Sequence, residues 1–189
     1  MNFIERLNQV HDRLLSPEFL TNAGIGNEIG FYIFDYPPDQ ELLMRQWLRE
    51  LPQNLLRRRP DLKFAMQDLF SLLVDYLKSR KLYDKAVAVQ KQKGNDSLLA
   101  ALHGPLDAGR ILDYFVKAVR PAEHDFVILH GIGKAWPLIR SHSLLNNLQA
   151  VMGRIPLVMF YPGVYDMQGL SLFGRLPSDN YYRAFRLVS

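Results

Sequence analysis

Three short apolar runs, at residues 31–35, 126–129 and 156–161, and a further strand expected at 63–68 are separated by long stretches in which apolar residues recur at helical spacing. A chain that alternates strand and helix covers both faces of a sheet with helices, so this order selects an α/β fold. The expectation is a three-layer domain with a mainly parallel sheet of four to six strands and right-handed crossovers, Rossmann-like or P-loop-like without a functional phosphate loop. With 189 residues and 48% hydrophobic content the chain can bury one substantial core, so a single domain over residues 1–189 is expected.

The segments between the runs carry their own signals. Ile4, Leu7, Val10 or His11, and Leu14 mark an amphipathic first helix, and Ser16 followed by Pro17 caps a second short one. Residues 22–30 read as a glycine-containing loop into the first strand, and Tyr36, Pro37 and Pro38 stop that strand. Asp39 is placed to cap a helix whose apolar side is Leu42, Leu43, Trp47, Leu48 and Leu51, ended by Arg57, Arg58, Arg59 and Pro60. Residues 69–119 are helical throughout, with Leu69, Leu72, Leu73, Tyr76 and Leu77 on one stripe. That is more helix than one crossover needs, so a helical insertion lying over one edge or end of the sheet is expected. Asp107 opens its last helix. A further helix, opened by Trp136 and Pro137, is expected to run to Gln149. After the fourth strand Pro162 and Gly163 turn the chain away, and residues 170–173 and 181–187 form two more short strands joined across 177–180.

The chain has no cysteine, which excludes disulfides, thiol catalysis and cysteine-ligated zinc. Its start lacks the apolar centre of a secretory signal, and no run approaches the roughly 20 apolar residues that span a bilayer. A soluble cytoplasmic protein without membrane contact is the simplest expectation. The net charge is +4, with cations gathered at Arg57, Arg58 and Arg59 and at Lys78, Arg80, Lys81, Lys85, Lys91 and Lys93. Such clusters suit phosphates or an acidic partner, but no nucleic-acid module accompanies them, and a solvated helix face is the preferred reading.

The segment at 130–136 invites comparison with a phosphate loop, in which converging backbone N–H groups, a lysine and a hydroxyl hold phosphate and magnesium. Gly131, Gly133 and Lys134 are present, yet the glycines lie too close together and Ala135 stands where the hydroxyl belongs. The dinucleotide fingerprint fails too, because Trp136 occupies its third glycine position. These glycines are therefore expected to serve tight turning and packing. Asp35 ends a strand at the edge where α/β ligand sites lie, whereas Asp125 precedes its strand and belongs to the opposite edge. A turn-capping role for Asp35 beside Tyr36 is preferred over metal coordination. Arg140 and Asn147 share a helix face, and His142 between two serines implies no catalytic dyad, because sequence neighbours on a helix diverge. Late aromatic and basic residues, among them Tyr161, Tyr165, Tyr181, Tyr182, Arg183 and Arg186, suit an interface or a core edge equally.

Four blocks, residues 27–37 (NEIGFYIFDYP), 136–147 (WPLIRSHSLLNN), 156–163 (PLVMFYPG) and 181–185 (YYRAF), give the chain a resemblance to the BrxB family of bacteriophage exclusion (BREX) defence systems. The resemblance implies a non-catalytic component acting alongside a PglZ-type phosphatase-like protein, a site-specific adenine methyltransferase and a large ATPase, in a system that marks host DNA and blocks phage replication. It implies an adaptor that meets a PglZ-type protein and reaches DNA only indirectly, and it supplies no catalytic, cofactor or metal residues. Asp35, Tyr36, Trp136, Arg140, His142, Asn147, Tyr181, Tyr182 and Arg183 are the residues expected to bind the partner or organise the fold. The alternative is a degenerate nucleotide-binding, regulatory ATPase-like domain built on Gly131, Gly133 and Lys134.

Overall fold

The computed structural model describes residues 1–22, 30–139, 141–177 and 184–189. Five strands form a parallel sheet: β1 (Phe31–Tyr36), β2 (Phe64–Asp68), β3 (Phe126–His130), β4 (Leu157–Tyr165) and β7 (Phe185–Arg186), in the order β2-β3-β4-β1-β7. The far end of β4 continues into an antiparallel extension with β5 (Leu170–Leu172), which in turn pairs with β6 (Leu176–Pro177). The helices are α1 (Phe3–Leu15), α2 (Pro17–Leu20), α3 (Glu41–Arg58), α4 (Leu69–Ser79), α5 (Tyr83–His103), α6 (Ala108–Val119), α7 (Ile132–Ala135) and α8 (Ser141–Met152). None of the described helices is long and apolar enough to cross a membrane.

Successive side chains of a strand point to opposite faces, and the central strands use both. Phe31, Ile33, Val127, Leu129, Leu157 and Met159 enter one core, beneath α4, α6 and α8. Tyr32, Phe34, Phe126, Ile128, Val158 and Phe160 enter a second, beneath α1, α2 and α3. The molecule is thus the expected three-layer α/β fold. Each fully buried Leu or Phe contributes roughly 1.5–3 kcal/mol of transfer free energy, and that gain is what makes near-continuous apolar strands pair here.

Several local expectations change once the packing is known. On α3 the buried stripe is Met44, Leu48, Leu51 and Leu55, while Leu42 stays 77% exposed and Leu43 is also exposed. Helical spacing alone fits either set; the sheet's position decides between them. Asp39 does not cap α3, because residues Pro38–Gln40 form a 3-10 turn and Gln40 stands at the cap without a side-chain bond. Ile4 is exposed on α1, whose buried positions are Leu7, Val10 and Leu14. The segment 69–119 is helical, but α4 and α6 lie on a sheet face and not over an edge. Their stripes of Leu69, Leu72, Leu73, Ile111, Phe115 and Val119 find burial only against the strands. Helix α5 is the outlying piece, with Leu102 its one buried residue.

Trp136 and Pro137 do not open a helix. Proline pushes the residue before it out of the helical region, and Trp136 is extended (φ −70°, ψ 138°), so α7 stops at Ala135 and α8 starts at Ser141. Pro162 and Gly163 do not end β4 either. Pro162 pairs with Tyr36 in the parallel sheet, and Gly163 passes so close to β5 that an added Cβ would lie 2.1 Å from the Ser171 carbonyl oxygen. A bare backbone is what lets the strand cross from one pairing to the other. At the C-terminus β5 and β7 fall within the expected strands, whereas the 177–180 connection lies mostly outside the described residues.

Gly163→Ala is therefore expected to destabilise the fold by about 2–4 kcal/mol, because backbone must move to admit the methyl group. Gly104→Ala, at a helical conformation with open space around it, is expected to be neutral or stabilising by about 0.5–1 kcal/mol. Urea unfolding of both variants measures the contrast, and equal effects would contradict it.

Candidate functional site

The carboxyl ends of β1, β2 and β3 open into a cleft of about 280 Å³, walled by the first half of α3 on one side and by α7 on the other. Tyr36, Glu41, Arg45, Asp68, His130, Gly131 and Lys134 line it. This is the edge of an open α/β sheet at which ligands bind, since loops and helix starts converge there.

Asp68 is the centre of the cleft. It ends β2 and caps α4, accepting the Ser71 N–H at Oδ1 (2.9 Å). Its Oδ2 accepts from the Lys134 ammonium and lies 3.5 Å from His130 Nδ1. Burial alone would raise the Asp68 pKa, but the Lys134 bond and charge, the Ser71 N–H and His130 outweigh it and hold the carboxyl below its ordinary value. His130 is shifted down, first by burial and also by the Lys134 charge, against the upward pull of Asp68. It is a neutral imidazole near pH 7. Gly131 is needed beside this pair, because it adopts φ +71° and an added Cβ would lie 2.7 Å from Asp68 Oδ2. Across the cleft Tyr36 donates to Glu41 Oε2 (2.6 Å), and Arg45 Nε donates to Glu41 Oε1 (2.8 Å). Burial, and then the Glu41 carboxylate, push the Tyr36 hydroxyl far above its ordinary pKa, so it is a fixed donor.

A second polar cluster lies behind the cleft and is structural. Asp35 is 7% exposed, the one buried charged residue among those described. Arg6 Nη2 donates to its Oδ1 (2.6 Å), the Tyr165 N–H donates to its Oδ2 (3.1 Å), and Arg186 Nη2 stands 3.9 Å from Oδ2. Arg6 also donates to the Asp35 carbonyl and, at 3.4 Å, to the Val188 carbonyl, while its guanidinium lies over the Phe34 ring. Asp35 is therefore neither a turn cap nor an open ligand. It ties α1, β1, β4 and the C-terminal residues together.

The other candidates divide. Lys134 is ion-paired with Asp68. Gly133 has the expected packing role: a Cβ there would meet Phe173 at 2.9 Å and Pro162 at 3.1 Å. Trp136 is 45% exposed and meets Phe173 edge-on, with ring centroids 6.2 Å apart. Asp125 lies at the amino edge, as expected, where it accepts the Lys63 N–H (2.9 Å). Asn147 is exposed on α8. Arg140, Tyr181, Tyr182, Arg183 and the His142 side chain lie outside the described residues. Sequence reasoning overlooked Asp68, His130, Glu41 and Arg45. Asp68 and His130 were recoverable, because each ends a parallel strand immediately before a helix or glycine turn.

The His130 shift has a measurable consequence. Its folded pKa lies below the unfolded 6.5, so the native state resists the proton; the contribution is present above pH 6.5 and is lost as pH falls toward the folded pKa. His11, also lowered by burial, acts in the same direction. Stability is expected to decline as pH falls below 6.5, and His130→Gln is expected to flatten that decline. Thermal or urea unfolding across this range tests it; an unchanged slope in the variant contradicts the assignment.

A family model described as "BREX protein BrxB" matches residues 65–187. A BREX protein BrxB of Escherichia coli strain HS is 46% identical over 183 residues, covering 97% of this chain and 90% of the relative. A BREX protein BrxB of Bacillus cereus is 39% identical over 188 residues, covering 97% of this chain and 96% of the relative. No solved structure matches the chain.

Proposed function

The chain belongs to the BrxB family, components of BREX phage-defence systems, and from that premise we propose that it is a non-catalytic adaptor that docks a PglZ-type protein. The observation that supports this most is the indole of Trp136, 45% exposed on the segment leaving the carboxyl end of β3; Val164 and Met167, 50% and 48% exposed, lie at the far end of β4 and just beyond it. Soluble chains seldom leave an indole and several aliphatic side chains in water without a use, and tryptophan is enriched where partners bind tightly. In this reading the protein works in the cytoplasm, the methyltransferase and large ATPase of the system are reached through the assembly, and DNA is met only indirectly.

A second reading, a degenerate nucleotide-binding regulatory domain, draws on the position of the cleft and on its Arg45 and Lys134. The Asp68 carboxylate weighs against it, since it already occupies Lys134 and would face an incoming phosphate. Unchanged melting with magnesium and ATP, together with no binding of labelled nucleotide, would remove it.

The adaptor reading is tested by co-expression with a PglZ-type protein. The two are expected to co-purify, and Trp136→Ala is expected to weaken the association roughly tenfold or more while leaving the melting temperature close to that of the unmodified protein. Failure of the unmodified protein to associate with any other BREX component would sink the proposal.

A further inference from the structure

We propose that β2 is a dimerisation edge, at which two copies of this chain pair antiparallel about a two-fold axis through Ala65 and join their sheets into one. Strand β2 pairs with β3 on one side, and among the described residues no strand pairs with it on the other.

The register tells which backbone groups face outward. The Val127 N–H donates to the Pro156 carbonyl (2.9 Å), so Val127 and Leu129 turn their peptide groups toward β4. Phe126, Ile128 and His130 therefore turn theirs toward β2. In a parallel ladder such a residue bonds the two neighbours of the residue it faces. Phe126 faces Phe64 and Ile128 faces Met66, so the bonded residues of β2 are Lys63, Ala65 and Gln67. Lys63 also turns both its backbone groups to the β3 side, where its carbonyl accepts from the Asp125 N–H and its N–H donates to the Asp125 carboxylate, one residue before the ladder begins. Phe64 and Met66 are left with their N–H and C=O groups directed out of the open edge.

An antiparallel copy of the same strand satisfies this set. Phe64 exchanges both its hydrogen bonds with Met66 of the second copy, Met66 does the same with Phe64, and the small Ala65 meets its own equivalent on the axis. Residues 64–67 contain no proline, glycine or charge, the usual devices that keep an edge unpaired. The side chains agree with the backbone. Phe64 and Met66 point to the α3 face, where an open groove of about 470 Å³ is lined by Pro52, Leu56 and Leu62 beside them, and Leu56 is exposed. Pairing sets Phe64 against Met66 of the other copy and draws this groove over both.

The charged groups at the two ends of β2 are already paired within the chain, Arg58 with Asp12, Arg59 with Asp61 and Lys134 with Asp68, so the antiparallel sense follows from the backbone register. The contact is small, so association is expected on the order of micromolar affinity.

Sedimentation of the full chain over rising concentration is expected to show the mass climbing toward twice that of the monomer. Met66→Pro removes only an outward N–H and leaves the bonds to β3 in place, so the dimer should be lost while the melt stays cooperative. Amide exchange on the unmodified chain gives an independent reading: Phe64 and Met66 are expected to slow several-fold with concentration, while Ala65 and Gln67 do not change. A protein that stays monomeric at every concentration overturns the proposal. So does protection of Phe64 and Met66 that appears only with another protein bound, which would assign the edge to a partner's strand. A dimer that persists in Met66→Pro with unchanged exchange at these two amides overturns it as well. If Met66→Pro fails to fold, the exchange measurement decides.

Discussion

A sheet whose central strands are buried on both faces imposes the rest of this architecture. β1, β3 and β4 feed two separate cores, so each face demands a helical layer. The chain meets that demand asymmetrically. The β1-to-β2 connection supplies α3 to one face, joined there by α1 and α2, while the two later connections supply α4, α6 and α8 to the other. Long helical connections follow from this arrangement. The 69–119 segment is long because one face must be covered across several strands, and only α5 stands apart from that task.

Among the described residues the charged exception to the apolar interior is Asp35, and its cost explains its neighbours. A buried carboxylate is tolerated only when paired and hydrogen-bonded. Arg6 comes from the first helix, Arg186 from the last strand, and the Tyr165 N–H from the far end of β4. One desolvated charge thereby recruits both ends of the chain to the carboxyl edge of the sheet. Removing it would leave the Arg6 and Arg186 guanidinium groups without the carboxylate they share, so the cluster acts as a clasp whose parts stabilise one another.

Much of the fold was legible in the sequence because apolar runs of strand length between helical stretches admit few arrangements. Ser16, Asp107 and the strand at 126–129 took the places their chemistry implied. What escaped detection depended on distance in sequence. Which stripe of α3 is buried is decided by a sheet that the helix does not encode, so Leu42 and Met44 look alike until it is in place. β4 continued through Pro162 because Tyr36 and β5 take up its backbone on successive residues. The candidate site followed the same rule. The ion pair of Lys134 was not legible, because its partner, Asp68, is 66 residues away. Asp35 looked like a turn residue because Arg6 and Arg186 are remote from it.

The two surfaces assigned here to partners lie on different parts of the sheet, and their geometry is mutually compatible. Trp136 and the β4–β6 extension leave the carboxyl ends of the strands, whereas the open edge runs along β2. An antiparallel two-fold through Ala65 turns the carboxyl ends of the two copies in opposite directions, so the two Trp136 surfaces face away from each other at opposite ends of a continuous sheet. Self-pairing then leaves both docking surfaces free. A dimer of this form presents two identical sites on one rigid body, and a partner that is itself dimeric or bound twice along a larger assembly would gain avidity without any new contact. Because the span between the sites is set by paired strands and not by a linker, such a gain is confined to partners whose own spacing matches it.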